Sequence, residues 1–266
     1  MPDFAVSRRY FFFGSLLAGA VPAVGFGSQA SLKALGYKPF NEKLNLAGVG
    51  VAAFADTPSG GDRQKLSGRV ILTEKGKPSK ERGLDLASGA VWFEPEGGAP
   101  HPPPVATRMR TFHKQFDPRL LVVPVGSTVA FPNGDPILHN VFSVSRGNAF
   151  DLGLVGAGKG KSANLREPGI VRVFCNVHHA MFAHVVVVDT PYAAQIAPDG
   201  SFELDGLPAG PGTLHVWQER ADPLEQRIEL PRTEPLEIRL EVTQPRVPPH
   251  LNKFGRSYYG DNAYDG

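Results

Sequence analysis

The sequence predicts an all-β protein, and three observations carry that prediction. The 30 glycines and 25 prolines of this 266-residue chain fall at short intervals. Between them lie runs of Val, Ile and Phe that are strand-sized and too short for helices. There are many such runs, which points to sandwich or barrel architecture rather than one small sheet. The length allows one or two domains with cores of their own.

Taken in order, the segments are Arg69 to Thr73, Ala90 to Glu94, Leu120 to Val125, Thr128 to Phe131 and Asn140 to Val144. They continue with Ile170 to Cys175, His184 to Asp189, Ser201 to Leu204, Gly212 to Gln218, Gln226 to Leu230 and Leu236 to Val242. Asn133-Gly134-Asp135 is a turn, and Asp135 reads as turn chemistry. Pro100-His101-Pro102-Pro103-Pro104 reads as a rigid connector. Beyond about Gln244 the chain reads as an extended or disordered tail, 244–266.

At the N-terminus, Ser7-Arg8-Arg9-Tyr10-Phe11-Phe12 precedes an apolar stretch to about Phe26, with Ser28-Gln29-Ala30 as a small-residue cleavage site. This resembles a twin-arginine export signal over 1–30. The apolar run is short and Gly-rich against the roughly 20 residues a membrane span needs, so a removed leader, with no span in the mature chain, is expected ahead of the alternative, an uncleaved membrane anchor. Removal takes away Asp3, Arg8 and Arg9 and moves the net charge from +2 to +1. No basic block is interleaved with aromatics, which sets nucleic-acid binding aside. The expected location is the periplasm or the extracellular surface.

Two motifs in the chain are decoys. Gly48-x-Gly50-x-x-Ala53, in the linker read over 31–65, satisfies a loose dinucleotide fingerprint, and its surroundings look like the leader of exported Gfo/Idh-type oxidoreductases. The following Phe54-Ala55-Asp56-Thr57-Pro58-Ser59-Gly60-Gly61 reads as a loop instead of the helix that would hold a pyrophosphate. Gly156-Ala157-Gly158-Lys159-Gly160-Lys161-Ser162 ends like a phosphate-binding loop but has Val155 in place of its first glycine, and reads as a flexible turn.

The chemistry concentrates in Val171-Arg172-Val173-Phe174-Cys175-Asn176-Val177-His178-His179-Ala180-Met181. Strand alternation puts Val171, Val173 and Cys175 on one face, so the single cysteine of the chain arrives at a strand end pointing inward. Cys175-x2-His178-x2-Met181 gathers a thiolate, an imidazole and a thioether in one loop. Such soft and borderline ligands suit copper, and a His2Cys set with a weak axial Met is the blue-copper arrangement. A second imidazole is expected from His139, which begins the strand after the Asn133 turn.

These residues resemble the plastocyanin/azurin family of cupredoxins over roughly Phe116 to Thr190, where a His-Asn pair such as His139-Asn140 carries the first ligand. The spacing of His178 and Met181 is most similar to amicyanins. The resemblance implies a Greek-key β-sandwich and one copper ion held by His139, Cys175, His178 and Met181. It also implies an Asn140 hydrogen bond near the Cys loop. Val177 and His179 stand where prolines are common in the family, while His179 and His184 are further imidazoles that could compete as ligands or face a partner.

A second resemblance rests on Pro198-Asp199-Gly200-Ser201-Phe202-Glu203-Leu204-Asp205-Gly206-Leu207-Pro208, which looks like carboxypeptidase-regulatory or prealbumin-like sandwiches. Its first part is expected in Gly68-Arg69-Val70 and Ala90-Val91-Trp92. The expected organisation is therefore a small sandwich built from 66–98 and 191–243, with the cupredoxin unit of 99–190 inserted into it or packed upon it. With it goes the expectation that residues near 70 and near 214 share a sheet.

The functional expectation is a non-enzymatic one-electron carrier working with a redox partner, a cytochrome or an exported dehydrogenase. Copper delivery and a surface interaction module are the alternatives. Cys175 and His178 could also form a nucleophile and base, but an inward-facing thiol lacks a substrate cleft. A single cysteine excludes a binuclear thiolate centre, and none of the eight histidines forms a His-x-His pair of the multicopper-oxidase kind.

Overall fold

The computed structural model describes residues 63–80 and 85–258; the leader, the dinucleotide-like motif and nearly all of the linker lie outside the described residues. The described chain is all β, arranged as two sandwiches of two sheets each.

The first sandwich takes strands from both sides of the second. One sheet orders β15 (Ser201–Leu207), β1 (Gln64–Glu74) and β18 (Leu236–Glu241), with the short β2 (Lys77–Pro78) on β1. The other orders β14 (Ala193–Gln195), β3 (Gly89–Pro95), β16 (Gly210–Gln218) and β17 (Leu224–Leu230). Alternate residues face inward, so Leu236, Ile238 and Leu240 of β18 are buried while their neighbours are exposed. They join Val70, Phe93, Phe202 and Leu214 in one core.

The requirement that residues near 70 and near 214 share a sheet fails. Val70 lies on β1, which pairs with β15 and β18, whereas Leu214 lies on β16, which pairs with β3 and β17. The two N-terminal strands go to opposite sheets, and the residues meet face to face across the core rather than edge to edge.

The second sandwich runs from β4 to β13. One sheet orders β10 (Phe150–Val155), β9 (His139–Ser143), β12 (Gly169–Cys175), β13 (Phe182–Val188) and β7 (Leu120–Pro124). The other orders β11 (Gly158–Asn164), β8 (Thr128–Asn133), β5 (Arg110–Phe112) and β6 (Gln115–Asp117), with β4 (Ala106–Arg108) beside β8. Val129, Phe131, Val141, Val173, Cys175, Met181 and Val185 form its core.

Strands missing from the sequence reading are short or lie at edges. β10, β11, β6 and β14 end their sheets and bury only one residue each, so they carry little apolar pattern. The Gly- and Lys-rich stretch read as a flexible turn is mostly β11. Gly160 sits in it at φ +71°, so close to the Phe131 carbonyl that a Cβ would lie 1.8 Å from its oxygen. The ladder register shifts there, between Gly158 and Lys161, as a glycine bulge allows.

β13 is buried at all seven positions, the pattern of a strand covered on both faces. Val185 and Val187 enter the second core. Val186 and Val188, with Leu120 and Val122 of β7, pack against Ala90, Ala193 and Trp217 of the first sandwich. His184 faces that junction: it is 4% exposed, 3.6 Å from Glu219, and edge-on to Trp217. It therefore neither competes for the metal loop nor meets a partner. Arg119 holds Glu219 with one nitrogen on both carboxylate oxygens, 3.1 and 3.0 Å away.

Burial, aided by the charges of Arg172 and Arg119, lowers the His184 pKa to about 3. The unfolded chain takes up this proton near the ordinary value of 6.5, so His184 contributes stability above that pH and loses it as pH falls toward 3. Glu219, raised by burial, has the opposite sign and remains in a His184→Phe variant. Chemical denaturation of both proteins across this range should show a steeper acid loss in the wild type; equal slopes would remove His184 from the acid response.

Candidate metal centre

The centre lies at the end of the second sandwich where β12 finishes and β9 begins. Cys175 is paired with Val141, and His139, two residues along the same strand, shares the face of Val141. The thiol and the first imidazole thus enter one space from adjacent strands. The chain then turns back: Met181 N–H donates to the His178 carbonyl at 3.0 Å, and Cys175 N–H donates to the Met181 carbonyl at 3.1 Å. This tight loop returns His178 to Cys175.

His139, Cys175 and His178 bring one ligand atom each to within 4.8 Å of one another. Both imidazoles present Nδ1 to Cys175 Sγ at 3.6 Å. Two bonds of about 2.3 Å to sulfur and about 2.0 Å to nitrogen, meeting near tetrahedral or trigonal angles, span roughly 3.5–3.7 Å. The spacing fits an ion shared by the three side chains. His139 and Cys175 are wholly buried; His178 is partly exposed and offers the centre's way out.

Burial lowers the His178 pKa, and the neighbouring His139 and Lys114 lower it further against the opposing charge of Asp135. A neutral imidazole is the form that binds metal. Met181 is buried in the same core as Cys175 and closes the loop through its main chain.

Sequence reasoning missed the environment of His139. Asp135, only 6% exposed, contacts His139 Nε2 through Oδ2 at 2.9 Å. It also accepts His113 N–H on Oδ1 at 2.7 Å and Lys114 N–H on Oδ2 at 3.0 Å. Burial pushes its carboxyl up, but the Lys114, His139 and His113 hydrogen bonds outweigh that and hold it below the usual range. Reading Asp135 as turn chemistry alone is therefore corrected. Asn133 organises the turn: Oδ1 accepts from Thr111 Oγ1 and Asp135 N, while Nδ2 donates to the Ile137 and Val155 carbonyls.

The expected Asn140 hydrogen bond near the Cys loop is made by its main chain rather than its side chain. Its side chain donates to Asp151 and to the Gly153 carbonyl, on β10; only its main-chain carbonyl meets the Cys loop, accepting Asn176 N–H at 2.9 Å. Asp151 sits at about 2, because bonds from Lys253, Asn140 and Gly153 overcome its burial.

The disordered-tail reading does not hold for residues 244–258. This segment packs on the Cys loop, with His250 stacked on Phe174 at 4.0 Å and on His179 at 4.7 Å. Lys253 N–H donates to Asn176 Oδ1 at 2.9 Å, and Tyr258 Oη donates to the Cys175 carbonyl at 3.0 Å. His179 is thus engaged by the tail through His250 and Tyr258. His250 and Tyr258 in a Pro-rich tail were the available signal.

Among the solved structures similar to part of the chain are three cupredoxins. An oxidised amicyanin variant shares 24% identity over 31% of this chain and 82% of its own, at a TM-score of 0.29. A purple cupredoxin from Nitrosopumilus maritimus shares 22% over 31% and 99%, at 0.27. A pseudoazurin from Sinorhizobium shares 21% over 32% and 76%, at 0.28. No family model and no curated protein matches the chain.

Tyr258→Phe should cost about 1 kcal/mol in denaturant unfolding by leaving the Cys175 carbonyl without its donor. It should also speed amide exchange in the 175–181 loop. Unchanged stability and exchange would show that the tail does not support the centre.

Proposed function

We propose that this chain is an exported copper protein of the cupredoxin kind. In this reading His139, Cys175, His178 and Met181 hold one ion, and its role is one-electron transfer rather than catalysis. The observation that carries the reading is the pair of 3.6 Å Sγ···Nδ1 separations around a single buried thiol. When bound, copper supplies a Cu(II)/Cu(I) couple, and a trigonal His2Cys set is the arrangement associated with electron transfer.

The protein's own residues supply the rest. Buried His139 and Cys175 keep water out, and the strands behind them resist rearrangement. The rim is apolar: Ile137, Leu138 and Val177, each beside a ligand in sequence or nearly so, are 37%, 53% and 49% exposed. An exposed apolar rim suits brief docking of a redox protein, a cytochrome or an exported dehydrogenase. A nucleophilic role for Cys175 is disfavoured because the residue has no exposed surface.

Export rests on the twin-arginine-like leader, and among the described residues no helix is long and apolar enough to cross a membrane. Residues 66–98 and 191–243 form, in this reading, the regulatory-like sandwich around the copper unit.

Addition of Cu(II) to the purified protein should give an intense visible sulfur-to-copper absorption that Cys175→Ser abolishes. A colourless wild type would overturn the copper reading. With the band present, retention of Cu(I) against a chelator and fast reversible voltammetry are expected of a carrier, whereas ready Cu(I) loss would replace that role with delivery.

A further inference from the structure

We infer that Asp135 is the positioning residue of the centre: held by the turn between β5 and β6, its carboxylate fixes the His139 tautomer and sets a negative charge one imidazole away from the metal. This inference rests on the copper reading above.

Hydrogen-bond chemistry determines the tautomer. His139 is fully buried, and its Nε2 lies 2.9 Å from Asp135 Oδ2. An ionised carboxylate only accepts, so Nε2 carries the proton. Nδ1 of the neutral ring is then an unprotonated lone pair, and it is Nδ1 that faces Cys175 Sγ. With the opposite tautomer, the Nε2 lone pair would face a lone pair of Asp135 Oδ2 while a proton occupied the metal-binding nitrogen.

The carboxylate is itself built in. His113 and Lys114 have φ of 53° and 58°, the left-handed pair of a tight hairpin turn. Their consecutive N–H groups converge on the two oxygens of Asp135, the anion-cradling geometry of a backbone nest. Phe112 stacks on His113 at 3.9 Å across the same turn, and the Asn133 side chain holds the Asp135 N–H. Both oxygens accept hydrogen bonds, so the group is set up as an anion. A neutral carbonyl could satisfy Nε2–H equally well. The charge is what a carboxylate adds, and a nearby negative charge favours Cu(II) over Cu(I).

Asp135→Asn separates the two effects, because an amide oxygen can still accept Nε2–H while the charge is lost. In the full chain, this variant should retain the visible band, bind Cu(II) about 10- to 100-fold more weakly and bind Cu(I) nearly as before. The midpoint potential should rise by about 59 mV for each tenfold of that difference. A retained band with wild-type potential and Cu(II) affinity would overturn the assignment. A second measurement needs no variant: nitrogen NMR of the metal-free wild type should find His139 protonated on Nε2, and protonation on Nδ1 would overturn it even if Asp135→Asn does not fold. A wild type lacking the band defeats the copper reading instead, and the NMR result then decides separately whether Asp135 orients His139.

Discussion

The main chain of Cys175 is held from both sides, and the geometry of the centre follows from that restraint. Its N–H is bound to the Met181 carbonyl, its own carbonyl is bound by Tyr258, and the preceding Phe174 pairs with both Phe142 and Phe182. A side chain with one free torsion on so fixed a backbone has few places to put its sulfur. His139 follows from the β9–β12 register and His178 from the returning loop. The separations around Sγ are thus consequences of strand pairing and one short turn.

Burial makes those separations useful and constrains everything polar nearby. Inside a core of Val, Phe and Met, an unpartnered nitrogen or oxygen costs more than a surface one. Asn133 satisfies three elements at once, tying β5, the Asp135 turn and the end of β10 together. The Asn140 side chain fixes β10 through Asp151, whose other oxygen takes Lys253 from the tail. Polar groups around the centre therefore form a frame in which each bond aligns a neighbour of a ligand.

The first sandwich changes the physics of the second. In a lone sandwich, β7 and β13 would present alternate residues to water; here their outer faces meet Ala90, Ala193 and Trp217. The uninterrupted run Val185-Val186-Val187-Val188 is legible in those terms, since period-2 alternation vanishes when both faces are dry. The same junction explains His184: three sequence positions after Met181, it points to the opposite face of the sheet and sits among Glu219, Arg119 and Trp217.

What was legible in the sequence was what neighbours in the chain decide. Cys175, His178 and Met181 lie within one loop, and the inward direction of Cys175 follows from the alternation of Val171 and Val173. Strands with apolar cores declared themselves, while β4, β5, β6, β10 and β11 did not, being either three residues long or at an edge. Partners brought together by the fold were invisible: Asp135 meets Lys114 across 21 residues and Tyr258 meets Cys175 across 83. Asp135 illustrates the difficulty most directly. An Asx residue after Asn-Gly has a sufficient local explanation, and nothing nearby in sequence reveals that a distant hairpin turn supplies its two N–H donors. Cys175, His178 and Met181 could be read as a motif because the chain itself arranges them, whereas their support comes from strands and turns that meet only after folding.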